Sequence, residues 1–323
     1  MTKYIIRRFL WAIPVLFCVT LVVFVLIRAI PGGPFDFAGD KSLPPSVVKN
    51  LEAKYHLDDP VWKQFVDYIW DLLHGDLGPS FRYRSRSVND IIADALPVSA
   101  QLGMVAMLIA IGIGIPMGII AALRQNTMID YSATFVAIVG VSIPSIVMGP
   151  VLMWIFALEL GWFPVSRWGA QAPFILGFLP VPDLNFWKYA ILPAFTLGSG
   201  LSASIARLTR ASLLQVIRED YIRTARAKGL RERMVVIRHA LKNSMIPVIT
   251  ILGPMFAAVL TGTFVVEQIF AIPGLGKHFV TSIGNRDYPV VLGTTLLYGV
   301  AIVVANLFVD IAYAWLDPRI RFD

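Results

Sequence analysis

The feature that most constrains this chain is the length of its stretches without Asp, Glu, Lys or Arg. Six such runs are strongly apolar: 9–27, 95–123, 131–158, 189–206, 243–266 and 288–309. Each is near or above the roughly 18 residues that an α-helix needs to cross a bilayer. A charge at the bilayer centre costs about 2.5–3.5 kcal/mol on the lenient insertion scale, so runs this clean mark membrane segments. The run 168–182 is also uncharged, but it is short and carries Pro173, Pro180 and Pro182. It reads as an ordered external loop. Six transmembrane helices in an all-α membrane protein is the expectation. Composition agrees: 57% of the 323 residues are hydrophobic and 15% are charged, against about 25% charged in a soluble domain.

Orientation follows from Lys and Arg in the short connections. With a cytoplasmic N-terminus, that side receives sixteen basic residues, ten of them between Arg207 and Lys242. The two short opposite connections hold four: Arg167, Lys188, Lys277 and Arg286. Both termini are therefore expected inside. The net charge of +7 is topological, which argues against nucleic-acid binding. The first run follows Lys3, Arg7 and Arg8 like a signal peptide, but its apolar stretch is too long and no small-residue cleavage site follows. It reads as an uncleaved helix. Cys18 is the single cysteine and lies in that run, which excludes an intrachain disulfide or a CxxC redox pair.

The chain divides into 1–30, the cytoplasmic N-terminus and first span; 31–94, a large external segment; 95–316, a five-helix core; and 317–323, a cytoplasmic C-terminus. Within 31–94, Val61, Phe65, Tyr68, Ile69, Leu72 and Leu73 fall at helical spacing, predicting an amphipathic helix on the outer face of the bundle or on the membrane surface. Between spans four and five, residues 207–242 mix apolar residues with basic ones. They are expected to fold into short helices with Gly229 at a helix end. Charges that only enforce topology would explain this loop equally well. The stretch EQIFAIPGLGKHFVTSIGNRDY, 267–288, reads as a structured external connection broken by Pro273, Gly274 and Gly276.

Chemistry is conspicuous by its absence. No phosphate-binding G-x-x-x-x-G-K-[ST] loop occurs, and the four histidines are far apart in sequence. Neither cofactor nor metal is expected in this chain. Gly114 and Gly118 form a small-x-x-x-small spacing that lets helices approach closely. Intramembrane ionisable residues are functional candidates. Glu267 and Asp310 qualify, although each sits at the edge of its run, where reaching water or pairing with a neighbour is an equal reading. Ser142 and Pro144, in GVSIPS, and Pro116 are candidates for bends beside a pathway; ordinary kinks would look the same. No charge lies near a midplane, which argues against an ion-coupled carrier.

The segment DYIRTARAKGLRERMVVIRHALKN, 220–243, resembles the signature loop of permeases in binding-protein-dependent ABC importers. The family pattern is E-A-A-x-x-x-G, nine residues, then I-x-L-P. With the glycine at Gly229, the pattern departs at Arg223, His239 and Lys242, in the manner of the peptide-transporting branch. GDLGPSF (75–81), VVEQIFAIPGLGKHFVTSIGNRDYPVV (265–291) and DIAYAWLDPRIR (310–321) are similar to that branch too. LPPSVVKNLEAKYHLDDP (43–60) resembles the B-type subunits of oligopeptide permeases in particular.

The resemblance implies the type I importer permease fold and a pore shared with a homologous second permease. It implies two cytoplasmic ABC ATPase subunits, which bind the ATP and Mg, and an extracytoplasmic binding protein that delivers the peptide. It makes 220–243 a coupling helix seated in an ATPase groove. There Ile222, Thr224 and Ala225 are expected to be buried by the partner. Gly229 would permit the turn, and Arg223, Arg226 and Lys228 would meet partner acids. Leu230 and His239 complete the candidate coupling set. The same architecture serves dipeptides, murein peptides, glutathione, peptide-like antibiotics or nickel complexes in related systems. A stand-alone secondary carrier or channel is the reading from a different class.

Overall fold

The computed structural model describes residues 2–35, 44–83, 85–169, 183–261 and 263–316. Five of the six charge-free runs become helices long and apolar enough to cross a membrane. They are α1 (Thr2–Ala29), α4 (Val88–Leu123), α7 (Leu184–Val216), α10 (Leu241–Leu260) and α13 (Tyr288–Leu316). At about 1.5 Å per residue, even α10 reaches the ~30 Å of a hydrocarbon core. Among the described residues no strand forms, only an isolated bridge between Pro79 and Ser87.

The third run departs from expectation. It is a bent pair, α5 (Met128–Ser142) and α6 (Ser145–Leu152), the latter continued by a π-helical stretch Met153–Glu159, and the chain bends by 103° between them. The cause is local. Pro144 disfavours helical backbone at the preceding residue, and Ile143 is extended, with ψ 112°. Among the described residues the bundle thus has five helices long and apolar enough to cross a membrane, or up to six when the bent pair is counted as one. Two other boundaries also move. α7 runs on past the charge-free stretch through Arg207 and Arg210 to Val216, and the fifth run stops at Leu260, with a separate α11 (Phe264–Ile269) beyond it. The uncharged loop expected at 168–182 lies almost wholly outside the described residues, as does 317–323.

α4 and α7 form the most extensive helix pair, and the sequence spacing explains why. A Cβ at Gly114 would lie 2.6 Å from the Ser202 carbonyl oxygen, and one at Gly118 2.5 Å from that of Ala206. Only glycine allows backbones so close. Around this pair, α10 packs on α4, α7 and α13, and α5 on α4 and α7. α1 lies on the outside against α13, with Arg8 ion-paired to Asp310 at one end.

The two ends of the bundle differ. One carries α8 (Asp220–Ala227) and α9 (Glu232–Met234), followed by a second π-helical stretch, Val235–Ala240. The other carries α2 (Pro45–Lys54), α3 (Val61–Leu73), α11 and α12 (Leu275–Asn285). α4 begins at the α3 end with a capping box: Asp90 N–H donates to Ser87 Oγ and Ser87 N–H to the Asp90 carboxylate, at 3.1 and 2.9 Å. Buried Asp287 ties the first long connection to the last two helices. It accepts from Ser80 Oγ and from the Phe81 N–H at 3.0 Å.

Candidate functional site

α8 is a short, separate helix, and what holds it is legible residue by residue. Asp220 in its first turn suits the positive end of the helix dipole. Lys228 caps its C-terminus, and Gly229 follows in the left-handed region at φ +75°, which glycine enters without steric cost. The chain then reverses into α9, and Arg226 forks onto Glu232 at 2.7 and 3.1 Å across the turn. Asn243 at the start of α10 donates to the Tyr221 hydroxyl at 2.8 Å.

The buried face of α8 corrects the expectation that a partner groove takes up Ile222 and Ala225. Ile222 is fully buried and Ala225 is 6% exposed within this chain alone. They pack with Ala122, Leu213, Val235 and Ala240, at the ends of α4 and α7 and in the π-helical stretch leading to α10. Leu230 joins the rim of that cluster. The apolar spacing that looked like a docking face is therefore the seat fastening α8 to its own bundle. Thr224 is exposed, as are Arg223, Arg226, Lys228 and Gly229. A Cβ at Gly229 would meet nothing within 4 Å. His239 lies half-buried in the π-helical stretch. The outward surface is thus basic with small and apolar elements: Tyr221, Thr224, Ala227 and, beyond the turn, Met234 and Ile237.

Close to this seat, Arg210 of α7 forks onto buried Asp130 of α5, with Nε–Oδ1 2.6 Å and Nη2–Oδ2 2.7 Å. Sequence reasoning missed this pair because its members are 80 residues apart and each sits just outside a charge-free run. No local signal joins them.

The four pathway candidates do not converge. Ser142 and Pro144 are exposed at the break between α5 and α6. Asp310 is part of the α1–α13 ion pair with Arg8, toward the α8 end. Glu267 is fully buried at the α3 end, where its carboxylate accepts from Ser99 Oγ at 2.8 Å and from the Thr263 and Lys277 N–H groups at 3.1 and 3.0 Å. Ser99 Oγ in turn accepts from the Leu275 N–H at 2.8 Å. A Cβ at Gly274 would sit 2.5 Å from Glu267 Oε2. Glu267 is therefore a clasp joining α4, α11 and the start of α12, a fully satisfied buried carboxylate.

The wall that this clasp positions borders a cavity of about 330 Å³, lined by Thr261 at the end of α10, Gly276 and Phe279 of α12, and Thr294, Thr295 and Tyr298 of α13. The threonine hydroxyls donate to backbone carbonyls one turn back: Thr261 to Ala257, Thr294 to Val290 and Thr295 to Val291, at 2.6–2.8 Å. With their protons so used, the oxygens keep acceptor capacity. Below the cavity, α10 exposes Asn243, Pro247, Thr250 and Pro254 at three- and four-residue intervals. That stripe contrasts with α1, which exposes Phe9, Leu10, Trp11, Ile13 and Phe17. No group of metal-ligating side chains assembles among the described residues.

The comparisons with known proteins place this bundle, with its basic, internally seated hairpin at one end, in the permease class of transport-system subunits. Residues 114–322 match the family described as binding-protein-dependent transport system inner membrane component, and residues 1–103 its N-terminal companion. The chain belongs to this family. It is 45% identical over its full length to the oligopeptide transport system permease protein OppB of Escherichia coli K12, all of which is covered. It is 44% identical over 99% of its length to the dipeptide transport system permease protein DppB of Bacillus subtilis, 98% of which is covered. A solved structure of the MetNI methionine ABC transporter in inward-facing conformations shares the fold. The TM-score is 0.53 at 16% identity, covering 71% of this chain and 97% of that one.

Proposed function

We propose that this chain is the transmembrane permease subunit of an ATP-driven oligopeptide importer of the inner membrane, with both termini cytoplasmic and the bent pair serving as the third of six spans. The observation that carries this reading is the 45% identity over the full chain to a protein named as an oligopeptide permease. In this reading a homologous second permease completes the pathway. Two cytoplasmic ATPases bind and hydrolyse ATP, and an external binding protein delivers the peptide. Catalysis resides in those partners.

The geometry supplies a mechanism for coupling. An ATPase gripping the exposed Tyr221–Thr224–Ala227 surface and its surrounding arginines moves α8. Because Ile222 and Ala225 are packed into the ends of α4 and α7 and the π-helical lead-in to α10, α8 cannot shift without moving those ends. The displacement reaches the exposed Asn243–Pro254 stripe of α10 and the threonine-lined cavity, which we assign to the peptide pathway. Acceptor oxygens there suit the N–H groups that every peptide carries whatever its side chains. Affinity purification of the tagged chain from its native membrane tests the reading. Retention of a second permease and two ATPases is expected; recovery of the chain by itself under conditions that preserve the bundle would contradict it. A dipeptide cargo is the second reading, favoured by the 44% identity to the dipeptide permease. Uptake competition between peptides of different length separates the two.

A further inference from the structure

α3 has more apolar surface than the bundle uses. Its inward side chains Phe65 and Tyr68 pack on Phe24, Ile27, Tyr288 and Val291. A second apolar face remains bare: Trp62, Val66, Trp70 and Leu73 are 70%, 56%, 64% and 76% exposed. They recur at three- and four-residue spacing, so they form one stripe along the helix. Lys63, Asp67 and Asp71 occupy the remaining arc, and Lys63 is ion-paired to Asp59 at 2.8 Å. Neighbouring α2, PSVVKNLEAK, shows no comparable stripe.

The depth of α3 decides what covers this face. The Phe65 ring lies 4.9 Å from that of Phe24 and 5.7 Å from that of Phe17. Along α1, Phe24 and Phe17 precede Arg28 by four and eleven residues, or about 6 and 16 Å. Arg28 is the first charge after the apolar run, with its guanidinium donating to Gln64 of α3 at 2.7 Å. The Arg28 guanidinium folds back over the Phe24 ring, 3.4 Å from its centroid, so the Phe65 ring reaches from the level of that charge down toward Phe17, alongside the apolar length of a helix whose other faces expose Leu21, Val22, Val25 and Leu26. On α3 the bare stripe adjoins Phe65, since Trp62 lies three residues before it on the neighbouring arc of the helix. Tryptophan at both positions flanking Val66 is the chemistry of the interface, where an indole buries its ring and keeps its N–H at headgroup level.

We infer that α3 is an interfacial anchor, with Trp62, Val66, Trp70 and Leu73 seated in the lipid leaflet at the α3 end and Asp67 and Asp71 turned to water. α3 thereby pins the long connection 31–94 to the membrane surface beside α1. The inference needs a chain that spans a bilayer and is independent of the cargo. The test uses the assembled transporter in phospholipid vesicles, in a Cys18→Ser background, with a bimane fluorophore on Val66→Cys or Trp70→Cys and on Asn50→Cys of α2 as the aqueous reference. A lipid bearing a nitroxide near its headgroup is expected to quench the two α3 sites by more than half and Asn50→Cys hardly at all, while aqueous iodide gives the reverse order. Iodide quenching at both α3 sites, or shielding from both quenchers by a second permease or a binding protein, would overturn the inference. Two separate α3 positions guard against one label disturbing the fold.

Discussion

Ile222→Ala is the substitution that most sharply separates the two possible faces of α8. The side chain is fully buried within this chain, against Ala122, Leu213, Val235 and Ala240, and the change deletes three carbons from that seat. Large-to-small changes of this kind cost about 2–5 kcal/mol, against about 0.5–1.5 kcal/mol for Ile→Val. α8 has eight residues, too few to be stable alone, so the loss should appear as local opening. At 1.4 kcal/mol per decade, that is roughly a 30- to 4,000-fold rise in the open population of α8. Amide hydrogen exchange of the permease without its ATPases reads this directly. The α8 amides should lose protection in Ile222→Ala, partly in Ile222→Val, and not in Thr224→Trp, which instead should block ATPase association. Unchanged α8 protection in Ile222→Ala, together with lost ATPase binding, would show that Ile222 faces the partner and that the seat is misassigned.

Three further outcomes follow. Gly229→Asn should keep coupling and Gly229→Val should lose it, because the left-handed turn costs an ordinary residue about 1–2 kcal/mol whereas Asn tolerates it; peptide-stimulated ATPase activity of the reconstituted complex reads the difference, and a fully coupled Val variant would contradict it. Asp130→Ala leaves Arg210 without its buried partner and should cost about 3 kcal/mol, seen as a lower melting temperature in detergent; an unchanged melting temperature would remove the pair from the bundle's stability. Burial, reinforced by the Arg86 and Lys277 charges and opposed by Asp94, lowers the pKa of His278 below its ordinary 6.5. The fold thus favours the neutral ring, so the stabilisation is intact above about pH 6.5 and drains away as pH falls toward the lowered value. Limited proteolysis near α12 should accelerate on acidification in the native protein and lose that dependence in His278→Phe.

Much of this architecture is legible in the amino-acid sequence. Charge-free runs located the spanning helices because exclusion of charge from lipid acts residue by residue. Gly114 and Gly118 announced a close helix crossing through their spacing alone, and Gly229 marked the end of α8. What stayed hidden depends on tertiary partners. Amphipathic spacing in α8 revealed an apolar face without saying whether its own bundle or another protein covers it. Glu267 sat at the edge of a run, and nothing local signalled Ser99, 168 residues away, as its partner. The break at Pro144 could have been an ordinary kink from sequence; that the chain bends there by as much as 103° has no local signal.

Peptide accumulation in sealed vesicles tests the central proposition most directly. Vesicles holding this chain, its companion permease and both ATPases should concentrate peptide when the binding protein is outside and ATP within. Vesicles holding this polypeptide alone should not, and sustained accumulation by them would contradict the account.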